Sequence, residues 1–294
     1  MIEKDINSFE QLYKACNIAN VAIYKVAQTR EAYLSEKTEQ EVRKTVKRSL
    51  EAMKAAIVSG LKSNELSLSG MCGADCEKLQ KRFTNKGAIF GKTFEKIATY
   101  ALATSEENLR MGVIVACPTA GSCGIVPSVL IAASEDFDIS EDEQINALIT
   151  AGEIGRIISN KVALAGAVAG CQAECGVAAA MAAGALTQML GGSIRQILNA
   201  VALAMKNLLG LTCDPVCGLV EIPCVKRNAF LAIHAVTASE LALAGVESKI
   251  PLDEVIDALE QTGKLMSPTL KESSQAGLAK TKTAITLENK LFKK

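Results

Sequence analysis

Aromatic side chains are scarce in this 294-residue sequence: they make up 4% of it, and tryptophan is absent. Hydrophobic residues still reach 49%, so the core has to be built from small aliphatic side chains. Such side chains favour closely packed helices, and the length suits one large domain or two small ones. We expect one domain over residues 1–294, with a frayed C-terminal tail from about residue 280.

Net charge is also lacking, because 32 basic residues balance 32 acidic ones. The sequence therefore has no basic footprint of the kind that binds nucleic acid or an anionic membrane surface. A small neutral or zwitterionic ligand is the partner that this balance favours.

No secretory leader is recognisable, since the N-terminal residues MIEKDINSFEQ are polar and lack an apolar core. The sequence thus predicts a cytoplasmic protein. Ten cysteines in a reducing compartment indicate metal, redox or catalytic work, because structural disulfides are rare there. Cys72 and Cys76 have the spacing of consecutive helical turns, but no second pair of zinc-finger type accompanies them.

Alternating β-branched runs, a glycine fingerprint after a strand and a Walker-type loop are all missing. The predicted fold class is therefore all-α, and the lack of a phosphate cradle disfavours a pyridoxal phosphate mechanism. Capping boxes announce three helices, namely Ser8 with Gln11, Thr38 with Glu41 and Ser140 with Glu143. The first two helices carry apolar stripes at three- or four-residue spacing, formed by Leu12, Cys16, Ala19, Ile23 and Val26, then by Val42, Val46, Leu50, Met53 and Ile57.

The segment from Val162 to Leu186 is long and apolar enough to resemble a transmembrane helix. Alanine and glycine dominate it instead of leucine, however, and Gln172 and Glu174 lie in its middle. We interpret it as two buried helices that meet near Gly170 to Gly176, with Cys171 at the junction. Cys175, one turn further on, is interpreted as a packing residue.

The stretch LTCDPVCGLVEIPCVKRNAF, residues 211–230, has the densest set of unusual residues. Cys213 precedes Asp214 and Pro215, and Cys224 follows Pro223, so both thiols lie where a helix is interrupted. Thiolates on irregular backbone can be directed into a cavity and suit metal ligation. Each cysteine taken alone also fits a small buried hydrophobic residue, and only the combination indicates a metal.

Two polar segments are candidate substrate contacts. Ahead of a helix that begins near Ile125, the amides of Thr119, Ala120, Gly121 and Ser122 can form a concave seat for a carboxylate. An ordinary turn with Ser122 as a cap explains the same residues equally well. The loop over residues 62–76, KSNELSLSGMCGADC, contributes Ser69 and Gly70 as further candidates.

Four separated segments, CPTAGSCGIVP, AGCQAECGVAAAMAAGAL, CDPVCGLVEIPCVKRNA and PTLKESSQAGLA, resemble the alpha subunit of bacterial iron-sulfur L-serine dehydratase. The resemblance covers nearly the whole chain. It implies a helical catalytic domain in which Cys171, Cys213 and Cys224 hold a four-iron, four-sulfur cluster, a choice among ten cysteines that spacing alone could not make.

The resemblance also implies a reaction, the deamination of L-serine to pyruvate and ammonia. A cluster held by three thiolates leaves one iron open as a Lewis acid for the serine hydroxyl. Beside Cys224, the polar residues Lys226, Arg227 and Asn228 are candidates for contact with the cluster or the substrate. Arg227 is the best suited to pair with a carboxylate, while such residues can also simply cap the helix.

A second polypeptide is implied as well, because the family's histidine-containing motif belongs to a beta subunit or to an N-terminal domain, and this sequence lacks it. The one histidine, His234, lies in an apolar helix and is interpreted as a core residue. Other classes stay open at this point: a cysteine-rich electron-transfer protein, a helical scaffold with buried thiols, and a lyase that prefers threonine or cysteine.

Overall fold

A computed structural model describes residues 5–292 of the chain. Residues 1–4 and 293–294, the ends of the predicted domain, lie outside that range. Between residues 5 and 292 the chain forms helices and turns without any strand, which confirms the all-α prediction; two isolated bridges, Leu66 with Gly73 and Cys213 with Lys271, are its extended pairings.

The described part of the chain contains thirteen α-helices. They are α1 Phe9–Ala19, α2 Ile23–Leu34, α3 Glu39–Lys62, α4 Asp75–Lys86, α5 Gly91–Leu109, α6 Ile125–Asp136, α7 Glu141–Ser159, α8 Gly166–Ala169, α9 Val177–Met189, α10 Ile194–Lys206, α11 Cys224–Leu243, α12 Leu252–Leu265 and α13 Lys282–Phe292. A π-helical turn, Gln172–Gly176, joins α8 to α9.

Helix α9 forms the centre of the core. All of its residues except Gln188 are buried, and α6, α7, α10 and α11 pack around it. Small residues allow this close approach: a Cβ built on Gly184 would lie 2.5 Å from Ile154 Cδ1 and 2.8 Å from Val201 Cγ2. The sequence predicted two buried helices meeting near Gly170; α9 is buried, but the preceding α8 has only four residues and its Val168 is exposed. No helix within residues 5–292 has the length and apolar character needed to span a membrane.

The first predicted helix is divided in two. Asn20 takes a left-handed conformation (φ 51°), and its N–H bonds to the carbonyls of Asn17 and Cys16, an ending that asparagine tolerates better than most residues. Ile23 therefore starts α2 instead of continuing α1. The stripe predicts burial correctly at Cys16 and Ile23, which are both fully buried, but Ala19, at the end of α1, is exposed.

The helix starts largely follow the capping predictions. Full capping boxes are present at Thr38 with Glu41 and at Ser140 with Glu143. Ser8 caps α1, because its Oγ accepts a hydrogen bond from the Gln11 N–H. The box is incomplete, since Gln11 Oε1 accepts from the Asn7 N–H at 2.7 Å and not from the Ser8 N–H.

The chain end after residue 280 is helical up to Phe292, where the sequence predicted fraying. Thr281 Oγ1 accepts from the Ala284 N–H at 3.3 Å, and Ala284 is buried. An N-terminal cap and the buried Ala284 favour the helix over residues 282–292, which packs against the 216–218 turn.

The backbones of α3 and α5 approach so closely at Gly60 that there is no space for a side chain. A Cβ on Gly60 would lie 2.1 Å from the Ala103 carbonyl oxygen, whereas one on Gly152 in α7 would have no atom within 4 Å. We expect Gly60→Ala to lower the free energy of unfolding by about 1 to 3 kcal/mol through overpacking. The matched control Gly152→Ala should raise it by about 0.5 to 1 kcal/mol through helix propensity.

Urea denaturation of both variants measures the two changes. Equal effects of the same sign would contradict the packing described for α3 and α5.

Candidate functional site

Cys171 lies where α8 ends and the π-helical turn begins. Gly170 before it has φ 78°, and a Cβ there would lie 2.9 Å from the Leu211 carbonyl oxygen, so the backbone passes the 211 loop too closely for a side chain. A π-helical turn is uncommon and occurs often at functional sites. Here it carries Cys171, Glu174 and Cys175, whose potential ligand atoms all lie within 4.8 Å of one another.

Gln172 connects this turn to the segment that carries the next cysteine. Its Oε1 accepts from the Gly210 N–H at 2.8 Å, its Nε2 donates to the Leu259 carbonyl at 3.2 Å, and its own N–H donates to Leu211 O at 3.0 Å. The side chain is fully buried. Gln172 therefore positions the loop before Cys213 relative to Cys171, a role that the sequence analysis did not assign to it.

Cys213 is held in place by the C-terminal segment. Its N–H donates to Leu270 O at 2.9 Å, and its carbonyl accepts from the Glu272 N–H at 2.7 Å. Next to it, the Asp214 Oδ2 accepts from the Leu278 N–H at 2.8 Å. A Cβ on Gly277 would lie 2.4 Å from that oxygen, so the segment depends on glycine at this approach.

Cys224 is the first residue of α11, directly after Pro223, as the sequence predicted for a thiol at a helix start. The structure thus brings Cys171, Cys213 and Cys224 together from three separate segments. All three are buried. A Cβ on Gly166 would lie 2.8 Å from Cys213 Sγ and 3.2 Å from Glu174 Oε2, so Cys213 lies beside the turn that carries Glu174. Burial and the negative charge of Cys171 raise the pKa of Cys224.

The neighbouring thiols shift the pKa of one another. Cys175 and Cys213 lower the pKa of Cys171 to about 3, and Cys171 raises the pKa of Cys175 and of Cys213. Burial raises the pKa of Cys224 to about 12. Cys175, interpreted from the sequence as a packing residue, therefore also contacts the candidate ligands.

Arg227 is the cation of the site. Its Nη1 donates to the Thr212 carbonyl at 2.8 Å and its Nη2 to Asp214 Oδ1 at 3.3 Å, and its positive charge acts on Cys171 and Cys224. A largely buried guanidinium beside thiolates favours their ionised form and any anion that binds there.

Glu174 is the functional candidate that sequence analysis missed. Its Oε1 accepts a hydrogen bond from Thr119 Oγ1, and hypothetical Cβ atoms on Gly121 and Gly166 would lie 2.6 Å from Oε1 and 3.2 Å from Oε2. Burial and the negative charge of Cys171 raise its pKa to about 6. The signal in the sequence was a lone carboxylate within an alanine- and glycine-rich segment.

The 119–122 turn consequently faces a carboxylate. Ala120, Gly121 and Ser122 form a 3-10 turn, and Ser122 Oγ donates to the Cys117 carbonyl at 3.0 Å. With Glu174 against Thr119 and Gly121, this turn is better suited to a cationic group of a ligand than to the carboxylate that the sequence analysis expected there.

The remaining candidates divide between two places. Lys226 points away from Arg227, with its Nζ 2.5 Å from Asp75 Oδ2 and 3.5 Å from Cys72 Sγ. Ser69, together with Ser67, donates to Glu221 Oε2 at 2.8 and 2.7 Å. Gly70 lies in the same loop with φ 72°, and a Cβ built on it would have no atom within 4 Å.

The side-chain amide of Asn228 makes three hydrogen bonds, all of them to backbone groups. Its Oδ1 accepts from the Gly124 N–H at 2.9 Å, and its Nδ2 donates to the carbonyls of Gly121 and Cys224 at 2.8 and 3.0 Å. It joins α11 to the 119–124 turn and has no donor left for a ligand in this arrangement.

Three other residues occupy structural positions. Cys72 precedes α4 while Cys76 lies inside it and donates to the Thr99 carbonyl at 3.6 Å, so these two cysteines do not stand on consecutive turns of one helix. The Nε2 of His234 is 2.8 Å from the Ala204 carbonyl oxygen, consistent with its interpretation as a packed histidine.

The chain matches known proteins over most of its length. The model of a family described as serine dehydratase alpha chain matches residues 18–279. The probable L-serine dehydratase alpha chain of Bacillus subtilis is 41% identical over 283 residues, covering 96% of this chain and 94% of that protein. The L-serine dehydratase alpha chain of Peptoniphilus asaccharolyticus is 39% identical over 278 residues, 95% of each chain. An L-serine dehydratase of Helicobacter pylori is 38% identical over 289 residues, which are 95% of this chain and 62% of that one.

The contacts of Asn228 predict a structural effect of its removal. Asn228→Ala leaves the buried Gly124 N–H without its acceptor, so we expect the free energy of unfolding to fall by about 1 to 3 kcal/mol. Lys264→Gln, which removes an exposed helical ion pair with Glu260, is the control and should change it by about 0.5 kcal/mol or less. Thermal and urea denaturation measure both; an unchanged Asn228→Ala variant would show that the turn is held without this side chain.

Proposed function

We propose, because this chain belongs to the serine dehydratase alpha chain family, that it acts as the alpha subunit of an L-serine dehydratase, converting L-serine to pyruvate and ammonia. The observation that carries the proposal is the convergence of Cys171, Cys213 and Cys224 in one buried site beside Arg227. The substrate and the reaction are those for which the Bacillus subtilis and Peptoniphilus asaccharolyticus relatives are named.

The donor set fits an iron-sulfur cluster, which cysteine thiolates characteristically hold. Three buried thiols from separate segments present sulfur donors at this site, and the pKa of Cys171 is lowered by its neighbours. Cys171, Cys213 and Cys224 would hold a four-iron, four-sulfur cluster. When bound with one iron not ligated by cysteine, such a cluster supplies a Lewis acid for the serine hydroxyl, which otherwise leaves poorly.

The chain's own residues then bind and orient the substrate. Arg227 attracts the carboxylate of serine, since it is the cation nearest the thiols and has a planar set of donors. Glu174, held by Thr119, accepts from the substrate ammonium, which replaces the carboxylate seat expected at residues 119–122. The positive charge of Arg227 and the negative charge of Glu174 would together fix the orientation of the zwitterionic serine in the site.

The proton at the α-carbon needs a base, and Glu174, the carboxylate placed at the site, is already assigned to the substrate ammonium. His234 lies ten residues along α11 from Cys224, about 15 Å by the helical rise, and Lys226 is paired with Asp75. We therefore assign the base to a beta subunit. The longer Helicobacter pylori relative, of which this chain covers 62%, is consistent with a second part that the alpha chain lacks.

Replacing the candidate ligands tests the metal site directly. We expect Cys171→Ser, Cys213→Ser and Cys224→Ser to lose most of the bound iron and sulfide after anaerobic reconstitution, because each removes one of three thiolate ligands. Cys16→Ser is the matched control, since Cys16 is equally buried but lies in α1, and it should keep iron near the wild-type level. The measurement is iron and sulfide content with the visible absorption spectrum; iron retained in all three ligand variants refutes the assignment.

The beta subunit requirement is tested by mixing. The reconstituted alpha chain alone should produce little or no pyruvate from L-serine, and a beta subunit added at equal concentration should restore turnover. Pyruvate is measured by a coupled assay, with L-threonine as a comparison substrate. Full turnover by the alpha chain alone would place the base on this polypeptide and end the two-subunit proposal.

A further inference from the structure

A cavity of about 350 Å³ lies between α2, α3 and α7. None of these helices carries a candidate cysteine ligand. Its size falls within the range of small-molecule sites. One wall is apolar and is formed by Ala27, Val42, Val46, Leu148 and Ile149; the polar groups are Arg30, Glu31, Ser35, Lys37, Thr45, Glu153 and Arg156.

Gly152 keeps this cavity open. It lies in the middle of α7, where glycine costs helix stability relative to alanine, and a Cβ there would have no atom within 4 Å. Packing therefore does not require glycine at this position. A larger side chain at position 152 would project into the space that Gly152 lines.

The buried charges at the end of the cavity are unevenly paired. Glu153 accepts from Arg156 through both oxygens, at 2.7 and 2.9 Å, and from Arg30 Nη2 at 3.0 Å. Arg156 has an additional acceptor, the Ile6 carbonyl, at 2.6 Å. Arg30 has Glu153 alone, and its buried Nε has no hydrogen-bond partner.

This arrangement leaves a positive charge without a counterion. Arg30 and Arg156 share one carboxylate, that of Glu153, and the exposed Lys37 and Glu31 at the rim offset each other. An anion that reached Arg30 would supply the missing acceptor and neutralise the excess charge. The apolar wall on the other side suits a hydrocarbon chain.

We propose that this cavity is a binding site for a short aliphatic carboxylate of about four to six carbons, with its carboxylate on Arg30 and its chain against Val42, Val46 and Leu148. The site goes beyond the proposed reaction, since it uses none of the cysteines, Glu174 or Arg227. Its failure would leave the proposed function untouched.

Titration of the full 294-residue chain with isovalerate tests the proposal. Calorimetry at pH 7.5 should detect saturable binding of isovalerate, and the neutral isostere isovaleramide should bind about ten-fold more weakly or worse, because it cannot pair with a guanidinium. Equal binding of the acid and the amide would mean an apolar groove only, and no binding of isovalerate would likewise overturn the proposal.

Two variants of Gly152 locate the ligand. Gly152→Leu should reduce isovalerate affinity about ten-fold or more by occupying the cavity, without lowering the melting temperature, since leucine favours a helix and meets no atom at its Cβ. Gly152→Ala is the control and should retain binding. Wild-type affinity in the leucine variant would place isovalerate elsewhere and refute the site.

Arg30→Gln tests the charged contact. It should weaken isovalerate but not isovaleramide, whereas Arg30→Lys, which keeps the charge, should bind the acid more tightly than the glutamine variant does. If the glutamine variant does not fold, the comparison of the two Gly152 variants still decides the question.

Discussion

The close approach of helices around α9 is the constraint on which the candidate site depends. Alanine and glycine at the contacts, such as Gly184 against Ile154 and Val201, leave almost no space between α9 and its neighbours. Because α9 cannot shift in such packing, the π-helical turn before it is held as well. Cys171, Glu174 and Cys175 are thus presented by a rigid element, while Cys213 reaches them from irregular backbone and Cys224 from the first turn of α11.

Hydrogen bonds from buried side chains to the backbone hold the loops around the site in place. Gln172 bonds to the 210–211 loop and to α12, Asn228 ties α11 to the 119–124 turn, and Asp214 holds the C-terminal segment through the Leu278 N–H. Each of these side chains satisfies backbone groups that would otherwise be buried without partners. The site is therefore assembled by amides and a carboxylate that need take no part in chemistry.

Local patterns in the sequence were enough to predict most of the helices, the capping boxes at Thr38 and Ser140 and the interruption near Gly170, because these depend on neighbouring residues. They were not enough for Asn20, where a left-handed residue divides an otherwise continuous stripe. At the site, the prolines near Cys213 and Cys224 indicated only an interrupted helix, and the choice of these cysteines as candidate ligands came from the family resemblance. Glu174, Gln172 and the contact of Cys175 with Cys171 depend on residues that are distant in the sequence, and no local pattern reports them.

The bridge between Cys213 and Lys271 has a consequence for the order of events during synthesis. Cys171 and Cys213 emerge from the ribosome long before Leu270 and Glu272, whose backbone groups hold Cys213 in place. A nascent chain can pack α1 to α11 in sequence, yet Cys213 lacks its backbone partners until residues 270–272 have been translated. The loop that carries Cys213 therefore reaches its final conformation only after all ten cysteines of this sequence have been made.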